Sequence, residues 1–366
     1  MRGLLPGSFL VAASLALGLA SCAPSSAAAT GEPAAPGRAT ADVGEVLSAS
    51  TPFTPATATP VPAARRLTSP GCCVRPWWSP DSSQVYVIDK AETDAGAAVY
   101  GYPVDGRPAA LAEIPLGLYS TGGDLLALPG SSQWTLALPD GSAGMALPGS
   151  TVNFRVSPDR SSVAWSQGSR LPVSIDRRQR TLWVADIEGH DRRQIARIIG
   201  GDLIGWSEDG ASLLATGQPV GQAESGIWSL GLDSTAHLLL EAARPRSVLL
   251  SPGGQWLAFL LPFTGDAAKD GLWVLSTSDG QARRLESYGS YRWRGEGRLL
   301  LITYSANQDG LSLEEVDAST GRTASLLGPE TLAGALQNNE WVPSPDGRWV
   351  VYLNADDAAL WLAALP

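Results

Sequence analysis

Pro343-Ser-Pro-Asp-Gly-Arg-Trp-Val-Val-Tyr352 sets a tight turn directly before an alternating apolar run. The proline presets φ, the Asp side chain caps nearby N–H groups, and the glycine admits φ > 0. The β-branched and aromatic residues that follow suit a pleated strand. The string returns as Trp78-Ser-Pro-Asp-Ser-Ser-Gln-Val-Tyr-Val-Ile88, Val156-Ser-Pro-Asp-Arg-Ser-Ser-Val-Ala-Trp165, Trp206-Ser-Glu-Asp-Gly-Ala-Ser-Leu-Leu-Ala215 and Leu250-Ser-Pro-Gly-Gly-Gln-Trp-Leu-Ala-Phe259. Two degenerate copies, Tyr119-Ser-Thr-Gly-Gly-Asp-Leu-Leu-Ala-Leu128 and Trp293-Arg-Gly-Glu-Gly-Arg-Leu-Leu-Leu-Ile302, fill the gaps. The serine positions (79, 120, 157, 207, 251, 294, 344) recur every 37 to 50 residues, the length of one four-stranded unit.

A second pattern trails the turn. Leu182-Trp-Val-Ala-Asp-Ile-Glu-Gly189 runs on to Arg192-Arg-Gln-Ile195, and Leu272-Trp-Val-Leu-Ser-Thr-Ser-Asp-Gly280 runs on to Arg283-Arg-Leu285. Each reads as strand, Asp/Gly turn, strand. After the last turn the chain holds only two strands, ending at Leu360-Trp-Leu-Ala-Ala-Leu365, whereas Arg65-Arg66-Leu67-Thr68 is a fourth strand without a unit. A ring in which the first strand completes the last unit would remove both edges. These strings resemble the TolB-type, WD40-like PD40 β-propeller repeats over residues 65 to 366. The expectation is therefore an all-β, seven-bladed propeller closed by an N-terminal strand, with six or eight blades left open by the degenerate copies. TolB carries an α/β domain before its propeller and prolyl-oligopeptidase-like enzymes carry a hydrolase domain beside theirs. The reading expects neither here.

The start of the chain is read as an export signal. Arg2 precedes the apolar stretch 9 to 20, which is too short to span a bilayer, and Leu19-Ala20-Ser21-Cys22 resembles a bacterial lipobox. The expected arrangement is a signal peptide at 1–21, a lipidated Cys22 with a Pro/Ala-rich tether to residue 63, and a propeller at 64–366. The resemblance implies a lipid-anchored protein on the extracytoplasmic face of the cell membrane. An ordinary secretory signal with a chance Cys is the alternative. The remaining cysteines, Cys72 and Cys73, could pair in a strained ring, bridge to another chain, or be incidental.

Among 366 residues, 26 Lys+Arg stand against 36 Asp+Glu for a net charge of -10, and only Lys90 and Lys269 are lysines. No basic run exists to neutralise phosphates, so nucleic acid is not an expected partner. No Gly-x-Ser-x-Gly, P-loop or His-Glu-x-x-His string occurs, and the two histidines, His190 and His237, fall in a turn and on an outer strand. Asp81, Asp159, Asp209 and Asp346 are read as turn caps rather than calcium ligands, and the repeating Trp residues as packing rather than sugar platforms. Neither metal nor cofactor is expected.

The candidate binding residues lie on the connections at one end of the units. Arg170, Arg177, Arg178 and Arg180 are either solvated charge or a contact for an anionic ligand or acidic partner. Tyr288, Tyr291, Asn338 and Asn339 complete a polar, aromatic rim. The preferred expectation is a non-catalytic, monomeric binding or scaffolding module whose partner is another envelope protein. The alternative is an envelope carbohydrate-active enzyme or sugar-binding protein using Asp89, Glu92, Asp94, Asp266 and Asp270, and a third reading is a sensor or assembly factor docking through the Arg loop.

Overall fold

The computed structural model describes residues 64–71, 76–90, 97–112, 118–119, 126–129, 134–137, 143–168, 174–242, 244–305, 310–332 and 336–366. Among these the structure is all-β: antiparallel strands, one short 3-10 turn at Ile175–Arg177 and no α-helix. The strands fall into four-stranded meanders that follow the sequence repeat, and each is named here by the residue at the turn's serine position. The Ser157 unit comprises Thr151–Val156, Ser162–Gly168, Gln179–Asp186 and Arg193–Ile199. The Ser207 unit comprises Leu203–Trp206, Ser212–Pro219, Gly226–Gly231 and Ala236–Glu241. Arg246–Leu250, Trp256–Leu261, Gly271–Ser276 and Ala282–Arg284 form the Ser251 unit. Ser290–Gly295, Arg298–Ser305, Gly310–Asp317 and Thr323–Leu327 form the Arg294 unit. In the Ser344 unit, Leu336–Pro343, Trp349–Asn354 and Leu360–Ala364 are joined by Arg65–Arg66, with Arg65 opposite Leu362 and Arg66 opposite Trp361.

The turns are built from their own side chains. The serine hydroxyl donates to the Asp two residues on at 2.6 Å in Ser79–Asp81, Ser157–Asp159, Ser207–Asp209 and Ser344–Asp346. The same hydroxyl accepts the N–H five residues on, from Gln84, Ser162, Ser212 and Trp349, so both ends of the hairpin are tied to one atom. The left-handed position takes glycine at Gly210 (φ 67°) and Gly347 (φ 71°), while Ser82 (φ 61°) and Arg160 (φ 60°) hold it at the cost of strain. The Ser251 turn lacks the Asp and borrows a carboxylate from the next unit. Glu296 accepts Ser251 Oγ at 2.6 Å together with the N–H groups of Gly253 and Gln255.

Second strands such as Ser162–Gly168, Trp256–Leu261 and Trp349–Asn354 are buried on both faces, which explains their unbroken apolar runs. Within Ser162–Gly168, Val163 and Trp165 join Leu136, Met145 and Leu147 of the preceding unit. Ala164 joins Leu203, Trp206 and Leu213 of the following one. Burial of such side chains contributes about 1.5–3 kcal/mol each. The first strands of neighbouring units lie against one another. The indole N–H at the residue before the turn serine bonds the preceding unit's first strand: Trp206 to Arg155 O at 3.1 Å, Trp293 to Leu249 O at 3.0 Å and Trp78 to Val342 O at 3.1 Å. A tryptophan here therefore combines a large buried area with an inter-unit hydrogen bond.

Candidate functional site

Two arginines stand at the same repeat position on the row of first strands: Arg155, two residues before Ser157, and Arg292, two residues before Arg294. Arg155 reaches across to the next unit, where its Nε donates to Ile204 O at 2.9 Å, and its Nη1 bonds Phe154 O at 2.8 Å and Asn153 Oδ1. Arg292 lies over the buried Trp341 of the next unit, its Cζ 5.4 Å from the ring centroid, and its Nη1 donates to Tyr291 O at 2.7 Å. Burial lowers both guanidiniums. The Asp202 charge opposes the shift at Arg155, and Tyr291 and Glu340 oppose it at Arg292. Arg155 is nevertheless open to solvent by surface area.

Neither arginine has a carboxylate within ion-pair distance among the described residues, and Nη2 of Arg155 and both Nε and Nη2 of Arg292 are without a protein acceptor there. Arg292 thus keeps the Nε–Nη2 fork that grips a carboxylate bidentately, whereas Arg155, with Nε and Nη1 committed, offers Nη2 for a single bond. Their surroundings are stiff. Tyr291 Oη donates to Ser247 O at 2.6 Å, Trp341 Nε1 donates to Ser290 Oγ at 2.7 Å, and Ser290 Oγ bonds Asn339 Oδ1. Ser247 (φ 51°) and Asn339 (φ 59°) hold left-handed backbone at breaks in the strand register, strain of the kind that gathers at functional sites.

The rim residues expected from sequence separate into distinct roles. Arg177 and Arg178 are exposed on and after the 3-10 turn. Arg180 is not in a loop. It is the second residue of Gln179–Asp186, mostly covered, with Nε 3.6 Å from Asp202 Oδ2, so it pairs with the carboxylate that acts on Arg155. Tyr291 is not a rim group either: it is 4% exposed, and burial pushes its hydroxyl pKa far up. The misreading arose because Ser290–Gly295 begins earlier than the apolar pattern suggests. Tyr288 is 67% exposed. Asn339 lies within Leu336–Pro343 and braces Trp341.

Of the five carboxylates of the alternative reading, Asp270 is committed to its own loop, accepting the N–H and hydroxyl of Thr264 at 2.7 Å each. Cys22, Cys72, Cys73, Arg170, Glu92, Asp94 and the side chains of Asp89 and Asn338 lie outside the described residues. His190 is exposed with Nδ1 3.2 Å from Asp186 Oδ2, and with Glu188 the ligand atoms of the three lie within 4.8 Å of one another. Sequence reasoning missed Arg155, Asp202, Arg292 and Trp341, and placed Glu340 only at the end of a polar loop, whereas it lies within Leu336–Pro343. The usable signal was the shared repeat position of the two arginines.

No family model and no curated protein matches the chain. Similar solved structures include an oligogalacturonate lyase in complex with manganese, at 13% identity over 84% of this chain and 94% of that one, with a TM-score of 0.59. Puromycin hydrolase is similar at 14% identity and a TM-score of 0.51 over 84% of this chain, which spans 55% of that protein. TolB from Acinetobacter baumannii is similar at 13% identity over 69% of this chain and 53% of that one, with a TM-score of 0.36. The similarity to the lyase and to puromycin hydrolase makes this all-β fold propeller-like. The expectation of a non-catalytic module is overturned at this point. Enzymes share this fold, so missing catalytic strings do not separate a binding module from a catalyst.

Proposed function

We propose that this chain is an enzyme acting on an acidic saccharide, held in the channel between its first strands by Arg155 and Arg292. The guanidinium donors left without a described protein acceptor, Nη2 of Arg155 and Nε with Nη2 of Arg292, carry the reading. A sugar carboxylate supplies the missing partner, and neutralising it also acidifies the adjacent C–H. Asp202 and Glu340, whose charges act on the two arginines, are the proton acceptors the reading offers. A lyase for an acidic saccharide has a similar fold, which agrees with this substrate class. The manganese is a property of that protein.

In this proposal seven units form the ring, and Arg65–Arg66 closes it. Lipid on Cys22 and the tether to residue 63 hold it on the extracytoplasmic face of the membrane. The test is calorimetric titration with an oligogalacturonate and its neutral counterpart, followed by product analysis for new reducing ends and unsaturated sugars. Binding of the acidic ligand alone, lost in Arg155→Ala and Arg292→Ala, together with turnover is the expected result. Equal binding of the neutral ligand, or no binding, overturns the substrate class. Binding without turnover overturns the enzymatic assignment.

A further inference from the structure

Phe263 is 96% exposed and holds a left-handed φ of 55°, two features that an unconstrained loop would relax together. Its loop is not unconstrained. Thr264 N–H donates to Asp270 Oδ1 at 2.7 Å, Ala268 N–H to Asp266 Oδ1 at 3.0 Å and Lys269 N–H to Asp266 O at 2.9 Å. The flanks are tied down by Trp273 Nε1 to Lys269 O at 2.8 Å and Arg284 Nε to Asp270 O at 2.7 Å. A well-bonded loop thus presents a large apolar ring to water, at a backbone angle a phenylalanine adopts only when its surroundings impose it.

Antiparallel order decides which residues share its end of the unit. In the Ser251 unit, the connection between the second and third strands shares one sheet edge with the start of the first strand and the end of the fourth. Arg246 begins the first strand opposite Leu260, three residues before Phe263, and is itself exposed. Tyr288 follows the fourth strand into the Arg294 unit, and it too is exposed. One end of this unit therefore displays two aromatic rings and a guanidinium, next to the first strand that lies against the one bearing Arg292.

We propose that Phe263, Arg246 and Tyr288 form an outer subsite for a further sugar of an acidic oligosaccharide, the rings stacking on its C–H face and the guanidinium taking its carboxylate. This rests on the acidic-saccharide reading and extends it: the substrate is an oligomer that runs from the channel over the rim. The test titrates wild type, Phe263→Ala and Phe263→Trp with monomeric galacturonate and with a long oligogalacturonate. Phe263→Ala should weaken the oligomer about tenfold and leave the monomer unchanged, with Phe263→Trp near wild type. The fully exposed ring makes a folding defect in Phe263→Ala easy to exclude by its melting curve. If Phe263→Ala binds both ligands like wild type, or loses both equally, the subsite is wrong while channel binding stands. If wild type binds neither, both readings fall.

Discussion

Replacing Glu296 tests whether a turn can be capped by a neighbouring unit. In the intact protein its carboxylate accepts Ser251 Oγ and the N–H groups of Gly253 and Gln255, the role that Asp81, Asp159, Asp209 and Asp346 play within their own turns. Ser251 is buried, whereas Gly253, Gln255 and Glu296 are exposed, so water recovers part of the loss in Glu296→Ala. Loss of a comparable cap costs about 1–2 kcal/mol, or a fall in Tm of about 1.5–3 °C for a domain this large. The structure also supplies the rescue. A Cβ on Gly253 would lie 2.6 Å from Glu296 Oε2, so the borrowed carboxylate occupies the space where the turn's own Asp side chain would grow. Gly253→Asp alone should destabilise, through that contact and like-charge repulsion, whereas Glu296→Ala/Gly253→Asp should return close to wild type. Four urea or thermal melts give the coupling. A double variant no more stable than Glu296→Ala, or additive losses, would refute the argument.

Asp159 is held down at about 2 by the Ser157 hydroxyl, then by the N–H and hydroxyl of Ser161. Because this lies below the unfolded value of about 3.9, its contribution is complete above about pH 4 and is lost as pH falls toward 2. Asp159→Asn should therefore melt lower than wild type at about pH 6, with the gap closing in acid. In Gly289→Ala the new Cβ would meet Ile302 O at 2.0 Å, pushing Ser290–Gly295 off its partner strand. A loss of about 2 kcal/mol or more is expected in urea melts. Trp206→Phe keeps an aromatic ring but deletes the bond to Arg155 O, so it should cost about 1–2 kcal/mol by denaturant titration and loosen the hold on the Arg155 backbone.

What the sequence determined by itself is local. The turn is legible because its partners lie within five residues, as in Ser157 with Asp159 and Ser162, and the second strands are legible because both their faces are apolar. The fourth-strand character of Arg65-Arg66 was likewise readable, since the same basic dipeptide recurs at the equivalent place in other units. The site was not readable in this way. Tyr291 looks like an exposed loop tyrosine until its hydroxyl meets Ser247 O, 44 positions away, and Glu296 looks like a solvated turn residue until it caps Ser251, 45 positions away. Arg155 and Arg292 were indistinguishable from surface charge until Nε of Arg155 met Ile204 O of the next unit and the Arg292 guanidinium came to lie over Trp341. Hydrogen bonding over a few residues is written in the order of the chain. Desolvation and the pairing of distant groups exist only once the units are packed side by side.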